Sequence, residues 1–204
     1  MNRRAHASAW IPVAVAVAWA SSIAPRDALA ETRTFGGEFT FHGLGRIASY
    51  EPTQSIAGAG VAIGGGPVAA ISPRVRAHLE FRQTLEGLML SGTFALTVPV
   101  PFTAVTIAPS VDVRVGDRLG IGLGPFTGLW VVGFGIPGWS VGGLARFSLL
   151  LGPGAAALAR DRVRRESELQ LEVRAEHSQV GAYGNSSIAW SVSIALGVAW
   201  RWWR

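Results

Sequence analysis

The chain has 204 residues, 26 of them glycine, no cysteine and only 15% charged residues; its formal net charge of +5 rests on arginine, since lysine is absent. Without cysteine it is not a small disulfide-stapled scaffold. The arginines are scattered among acids, with one local run at 160–165 (RDRVRR) and no basic stripe interleaved with aromatics, which excludes nucleic acid as the expected partner. Its mean hydropathy of +0.33 is high for a water-soluble domain, and together with the glycine content it points towards a membrane.

The first 30 residues read as a leader. A short basic start carries Arg3 and Arg4, an apolar core of 11 residues follows (WIPVAVAVAWA), and Ala28–Ala30 forms a small-x-small cleavage site. The expectation is a cleaved signal peptide over 1–30 and one mature domain over 31–204, carrying a net charge of about +3.

Beyond the leader, three stretches of twenty or more residues lack charge (52–73, 87–111 and 119–145), and by length each could cross a bilayer as a helix. Two features oppose helices. These stretches contain Pro67, Pro99, Pro101, Pro109, Pro125 and Pro137; each interior proline costs a helix about 3 kcal/mol. The charged segments between and beside them alternate with period two. EFTFH does so near the start. In VRAHLEFRQ, Val75, Ala77, Leu79 and Phe81 alternate with Arg76, His78, Glu80 and Arg82. SVDVRV and SELQLEVRAE repeat the pattern around Asp112 and Arg114 and around Glu168, Gln170, Glu172, Arg174 and Glu176. Period two places one set of side chains on each face of a strand.

Candidate strands follow at 34–48, 56–71, 74–84, 88–99, 103–115, 119–134, 139–151, 167–176 and 187–203, separated by the turn signals EPTQS, SPR, EG, PVPF, GDR and IPG. The longer connections are 152–166, helix-like towards its end, and 177–186. A bilayer accepts strands only in a closed barrel, because every backbone polar group must be paired internally. The expected fold is therefore an all-β antiparallel transmembrane barrel, apolar towards lipid and charged towards the lumen. Nine segments cannot stand, since single-chain bacterial barrels have an even number of strands. The length of the mature domain suits eight, with ten as the alternative.

The closing segment carries a further signal. Trp190, Val192, Ile194, Leu196, Val198, Trp200 and Trp202 share one face; Ser191, Ser193, Ala195, Gly197, Ala199 and Arg201 share the other. This ending resembles the terminal strand of bacterial outer-membrane β-barrel proteins of the small eight-stranded type, with Gly197, Trp200 and Trp202 at the positions of the glycine and the two spaced aromatics. Trp203 and Arg204 extend beyond the pattern, and Ala195 stands where a polar residue is common. The resemblance implies an outer-membrane location, recognition by the barrel-assembly machinery during biogenesis, and lipid as the standing partner of a monomer.

Inside such a barrel, Arg76, His78, Glu80, Arg82, Asp112, Arg114, Glu168, Glu172 and Arg174 are expected to form a charge network, joined by Glu38, His42, Arg46, Gln170 and Glu176. Buried charges must be paired, and eight strands enclose little more than side chains. His177 and Ser178 are faintly similar to the histidine and serine of the outer-membrane lipid A deacylases. There the two residues lie two apart, on one face; here they are adjacent, and a strand would point them to opposite faces. No histidine pair has metal-ligand spacing, and GAGVAIGGG and GIGLG lack the lysine and the βαβ context of a phosphate cradle. The sequence thus leads to a small non-enzymatic outer-membrane barrel, without metal or cofactor, in a structural, surface-interaction or restricted-permeation role. A lipid-modifying hydrolase and a narrow pore are the alternatives.

Overall fold

A computed structural model describes residues 35–50, 54–91, 97–132, 136–151, 164–180 and 188–203. The expected leader and the helix-like stretch at 152–163 lie outside these residues. Eight antiparallel strands run in chain order: β1 (Phe35–Tyr50), β2 (Gln54–Ala70), β3 (Val75–Ser91), β4 (Thr97–Val115), β5 (Leu119–Val132), β6 (Ile136–Leu151), β7 (Arg164–Val180) and β8 (Ile188–Trp203). Each pairs with its chain neighbours. β8 returns to β1 in a register that runs from Gly36↔Trp203 to Tyr50↔Ala189, which closes the barrel.

Eight strands are present, and the surplus ninth segment has a local cause. EG (86–87) and PVPF (99–102) read as turns, but both lie inside strands: Gly87 pairs with Pro101 and Met89 with Pro99, within one β3–β4 ladder. What read as a strand over 88–99 is the end of β3 and the start of β4. IPG likewise opens β6 rather than preceding it. SPR and GDR do fall at turns. Ser72 Oγ accepts hydrogen bonds from the backbone N–H groups of Arg74 and Val75, and Gly116 adopts φ 68°, a left-handed conformation that glycine permits at no steric cost.

Alternation sorts the side chains by face. The outer surface presents Phe39, Phe41, Ile47, Ile63, Phe81, Leu85, Val105, Ile121, Leu123, Leu129, Phe147, Leu171, Ile194 and Leu196. Among the described strand residues its one charged side chain is Arg165, at the rim, paired in register with Trp202. Trp190 and Trp200 stand on this surface ten positions apart, with Phe39 stacked on Trp200 at 5.7 Å. At about 3.3 Å per residue and a tilt of about 40°, ten residues rise about 25 Å, the height of the apolar band of an outer-membrane barrel. The aromatics therefore mark the two edges of that band.

The lumen is narrow, and glycines on its wall make the space for charge. A Cβ on Gly64 would sit 2.7 Å from both Glu80 Oε1 and Thr40 Oγ1, and one on Gly122 would sit 2.0 Å from Asp112 Oδ1. β2 and β5 thus recede where β3 and β4 project their carboxylates. Gly197 performs the same service at the closure, where a Cβ would meet the Phe41 carbonyl oxygen at 2.0 Å and His42 Cδ2 at 2.5 Å.

Two substitutions probe this arrangement. Ile194→Arg, on the lipid face near the middle of β8, should lower unfolding stability in lipid vesicles by about 2–4 kcal/mol, whereas Ile194→Leu leaves it nearly unchanged. Gly197→Val should sharply reduce the fraction that refolds into a heat-modifiable band on gels. Gly43→Ala, whose new Cβ has its nearest neighbour at 4.0 Å, should refold normally.

Candidate functional site

β3 and β7 face each other across the lumen and supply most of its charge, because both alternate ionisable with apolar residues over their length. The central cluster is built on two carboxylates. Glu172 accepts from Arg82 Nη1 at 2.6 Å, Arg174 Nε at 2.6 Å and Arg146 Nη2 at 3.1 Å. Glu80 accepts from Arg146 Nη2 at 2.7 Å, from Arg82 Nη2 and Thr40 Oγ1 at 2.9 Å each, and from Arg82 Nε at 3.0 Å.

Towards the chain termini the network continues without a break. Arg201 binds Glu38, lies 2.5 Å from Glu168 Oε1 and 3.6 Å from Asp112 Oδ2. His78 sits between two carboxylates, with Nε2 3.0 Å from Asp112 Oδ2 and Nδ1 3.6 Å from Glu38 Oε2. Arg76 bridges Glu166 at 2.7 Å and Glu168 at 3.2 Å, and Arg114 approaches the same pair at 3.4 Å. Arg76 also lies 4.9 Å over the ring of Trp203, which turns inward and is buried while Trp202 turns out. At the opposite end Arg46 forms a separate group with Glu86 at 2.9 Å, Glu176, and Ser191 Oγ at 3.0 Å, its guanidinium 5.0 Å over Phe102.

Among the described lumen residues, Glu38, Glu80, Glu86, Asp112, Glu166, Glu168, Glu172 and Glu176 face Arg46, Arg76, Arg82, Arg114, Arg146, Arg174 and Arg201, and each has an ionic partner. In a low-dielectric interior an unpaired member would cost several kcal/mol, so near-neutrality is a condition of folding. His42 and Gln170 are fully buried without hydrogen-bond partners, on either side of Gly197 in register. Between the Arg46 group and the central cluster lies a cavity of about 20 Å³, lined in part by Leu44, Arg46, Thr106, Ser140, Arg174 and Ser193. Beyond Arg46 the lumen turns apolar, with Ile56, Leu88, Phe102 and Trp130 packed together.

All nine residues of the expected charge network point inward and meet in these clusters. Four members were missed in sequence. Glu86 was hidden by taking EG as a turn. Glu166 lies one period before Glu168, and Arg201 lies on the small-residue face of the terminal strand; the alternation pointed to both. Arg146 had no comparable signal, because Leu144 and Leu150 share its face and blur the pattern. Gly197, Trp200 and Trp202 lie on the closing strand, the glycine against β1 and both tryptophans outside.

His177 and Ser178 belong to β7 rather than to the connection after it. The His177 ring faces outward, 4.6 Å from that of Trp190, and Ser178 is buried on the lumen side. The barrel wall separates imidazole from hydroxyl, so the pair lacks the contact that activates a serine nucleophile. Among the described residues no group of three or more His, Cys, Asp or Glu could hold a metal ion.

A closed antiparallel barrel of eight strands, apolar outside and ion-paired inside, is the architecture of the small outer-membrane barrel proteins. No protein-family model matches the sequence, and no curated protein does. Among solved structures, Neisserial surface protein A aligns at TM-score 0.55 and 12% identity, over 80% of this chain and 95% of that one. The outer-membrane protein OprG from Pseudomonas aeruginosa aligns at TM-score 0.46 and 6% identity, over 83% and 97% of the two chains. Ail of Yersinia pestis aligns at TM-score 0.37 and 11% identity, over 81% and 98%. At these identities the likeness, carried by the first, is one of fold.

Glu172 is the keystone of the central cluster. Its replacement by alanine leaves Arg82, Arg146 and Arg174 with Glu80 as their main remaining carboxylate, and should destabilise the barrel by about 3–5 kcal/mol, measured by denaturant unfolding in vesicles. Arg114→Gln, which removes a guanidinium making only 3.4 Å contacts, should cost far less.

Proposed function

We propose that this chain is a non-enzymatic outer-membrane protein of Gram-negative type, exported through a cleaved leader, with a structural role carried by its wall and rims. The observation that carries the proposal is the filled lumen. Every carboxylate and guanidinium named there is engaged, and the adjoining cavity of about 20 Å³ has room for about one water molecule. An ion would have to cross both the charge clusters and the apolar packing around Phe102 and Trp130. Restricted permeation therefore fits the geometry less well than a structural role.

Location in the outer membrane is supported by the leader-like start, the apolar band and the terminal strand together. The rim holding the chain termini would face the periplasm, where the barrel-assembly machinery reads the last strand. The opposite connections are short (51–53, 92–96, 133–135 and 181–187), and Glu51 is their one charged residue. A surface-interaction role would have to rest on these short, sparsely charged segments. Lipid against the apolar wall is the standing partner, and the barrel works as a monomer.

Planar-bilayer recording tests the filled lumen. Purified wild-type protein, shown to be folded by its shifted gel mobility before boiling, should insert without discrete conductance steps. Regular steps of one size would overturn the proposal and make the chain a narrow pore.

A further inference from the structure

The wall is not uniformly bonded. The β4–β5 ladder pairs Ile107 with Thr127 and next pairs Val111 with Leu123; the three positions between are unpaired, although the register is the same on both sides. Pro109 and Pro125 face each other at the centre of this gap. Alternation from Ile107↔Thr127 makes theirs a position where each residue would donate its N–H to the other's carbonyl. Proline has no N–H, so both bonds are missing and both carbonyls lose their donor. One chemical fact thus accounts for all three absent pairings.

The neighbouring seam is thinned in the same way. β2 and β3 pair at Gly65↔Phe81 and resume at Val68↔His78, skipping Gly66 and Pro67, so the Leu79 carbonyl loses the donor that Pro67 cannot supply. Leu79 is in turn the register partner of Pro109. The gaps at Pro67 and at Pro109/Pro125 therefore adjoin across β3. The β1–β8 closure and the β6–β7 ladder, by contrast, are paired without a gap, from Gly36↔Trp203 to Tyr50↔Ala189 and from Gly138↔Val180 to Leu151↔Ser167. Inside the gap Ser110 Oγ is buried without a hydrogen-bond partner, and Ala108, Phe126 and Leu144 form an apolar cluster.

We propose that the barrel opens locally at the β4–β5 seam between Ile107↔Thr127 and Val111↔Leu123, ahead of its β1–β8 closure. The strands are long and continuous on either side, so the opening is a slit within the wall. It uncovers the apolar cluster of Ala108, Phe126 and Leu144, and because the Arg174 guanidinium lies 5.0 Å over the Phe126 ring, the slit reaches the edge of the central charge cluster.

Amide hydrogen exchange, resolved by residue on the folded full-length protein in lipid nanodiscs, tests this. The amides of Ile107, Val111, Leu123 and Thr127 should exchange about tenfold or more faster than those of Gly143, Ala145, Val173 and Ala175 in the β6–β7 ladder, as the loss of two adjacent hydrogen bonds requires. The double substitution Pro109→Val with Pro125→Val restores both donors and should bring the four amides back to the β6–β7 rate. Equal protection of the two seams in the wild-type protein would overturn the proposal without any variant. So would fast exchange that persists in a folded double variant, or earlier exchange along β1–β8.

Discussion

Closure of the backbone ladder is the constraint on which this structure depends. In hydrocarbon a strand has no water to satisfy its free N–H and C=O groups, so a sheet survives there only when its last strand returns to its first. The pairing of β8 with β1 removes both edges at once. Each side chain then has two possible environments, lipid or lumen, and the period-two pattern assigns it. The lipid face of β8 can be tryptophan, valine, isoleucine and leucine throughout, because its polar load is turned inward. The prolines of β2, β4 and β5 show the tolerance of the rule. They can sit in the wall of a closed barrel, but where they oppose a donor position the ladder loses its bond.

Closure has a consequence for charge. Eight strands enclose a space that side chains fill, so an ion in the lumen is solvated chiefly by other side chains. Glu172 and Glu80 are held by the same arginines, which come from β3, β6 and β7. The network therefore ties together strands that are not sequence neighbours. It forms only if the barrel has closed in the right register, and a one-residue slip would turn each charged face towards lipid. Charge pairing and closure thus enforce each other. The glycines at Gly64 and Gly122 belong to the same logic, since a methyl group at either would displace a carboxylate.

The architecture was largely legible from the sequence because amphipathic alternation is a local property. VRAHLEFRQ and SELQLEVRAE announce strands, faces and solvents within nine or ten residues. The strand count was less legible. Turn chemistry is also local, and PVPF has the composition of a turn; only its pairing with β3 shows that Pro99 and Pro101 continue a strand. Arg146 escaped for the converse reason. Leu144 and Leu150 face the lumen beside it, so an apolar residue no longer means lipid on that strand, and no window along β6 separates the two environments.

The sequence by itself determined the secondary structure class, the shared face of Arg76, His78, Glu80 and Arg82 on β3 and of Glu168, Glu172, Arg174 and Glu176 on β7, and the need for those charges to neutralise one another, since these follow from period two and from the cost of burying an ion. Tertiary structure decided which arginine meets which carboxylate, that Arg76 lies over the ring of Trp203, that His177 and Ser178 belong to a strand rather than to a connection, and that Pro109 faces Pro125. Those outcomes depend on the register between strands that may lie far apart in the chain, and register is set by the closure of the whole ring.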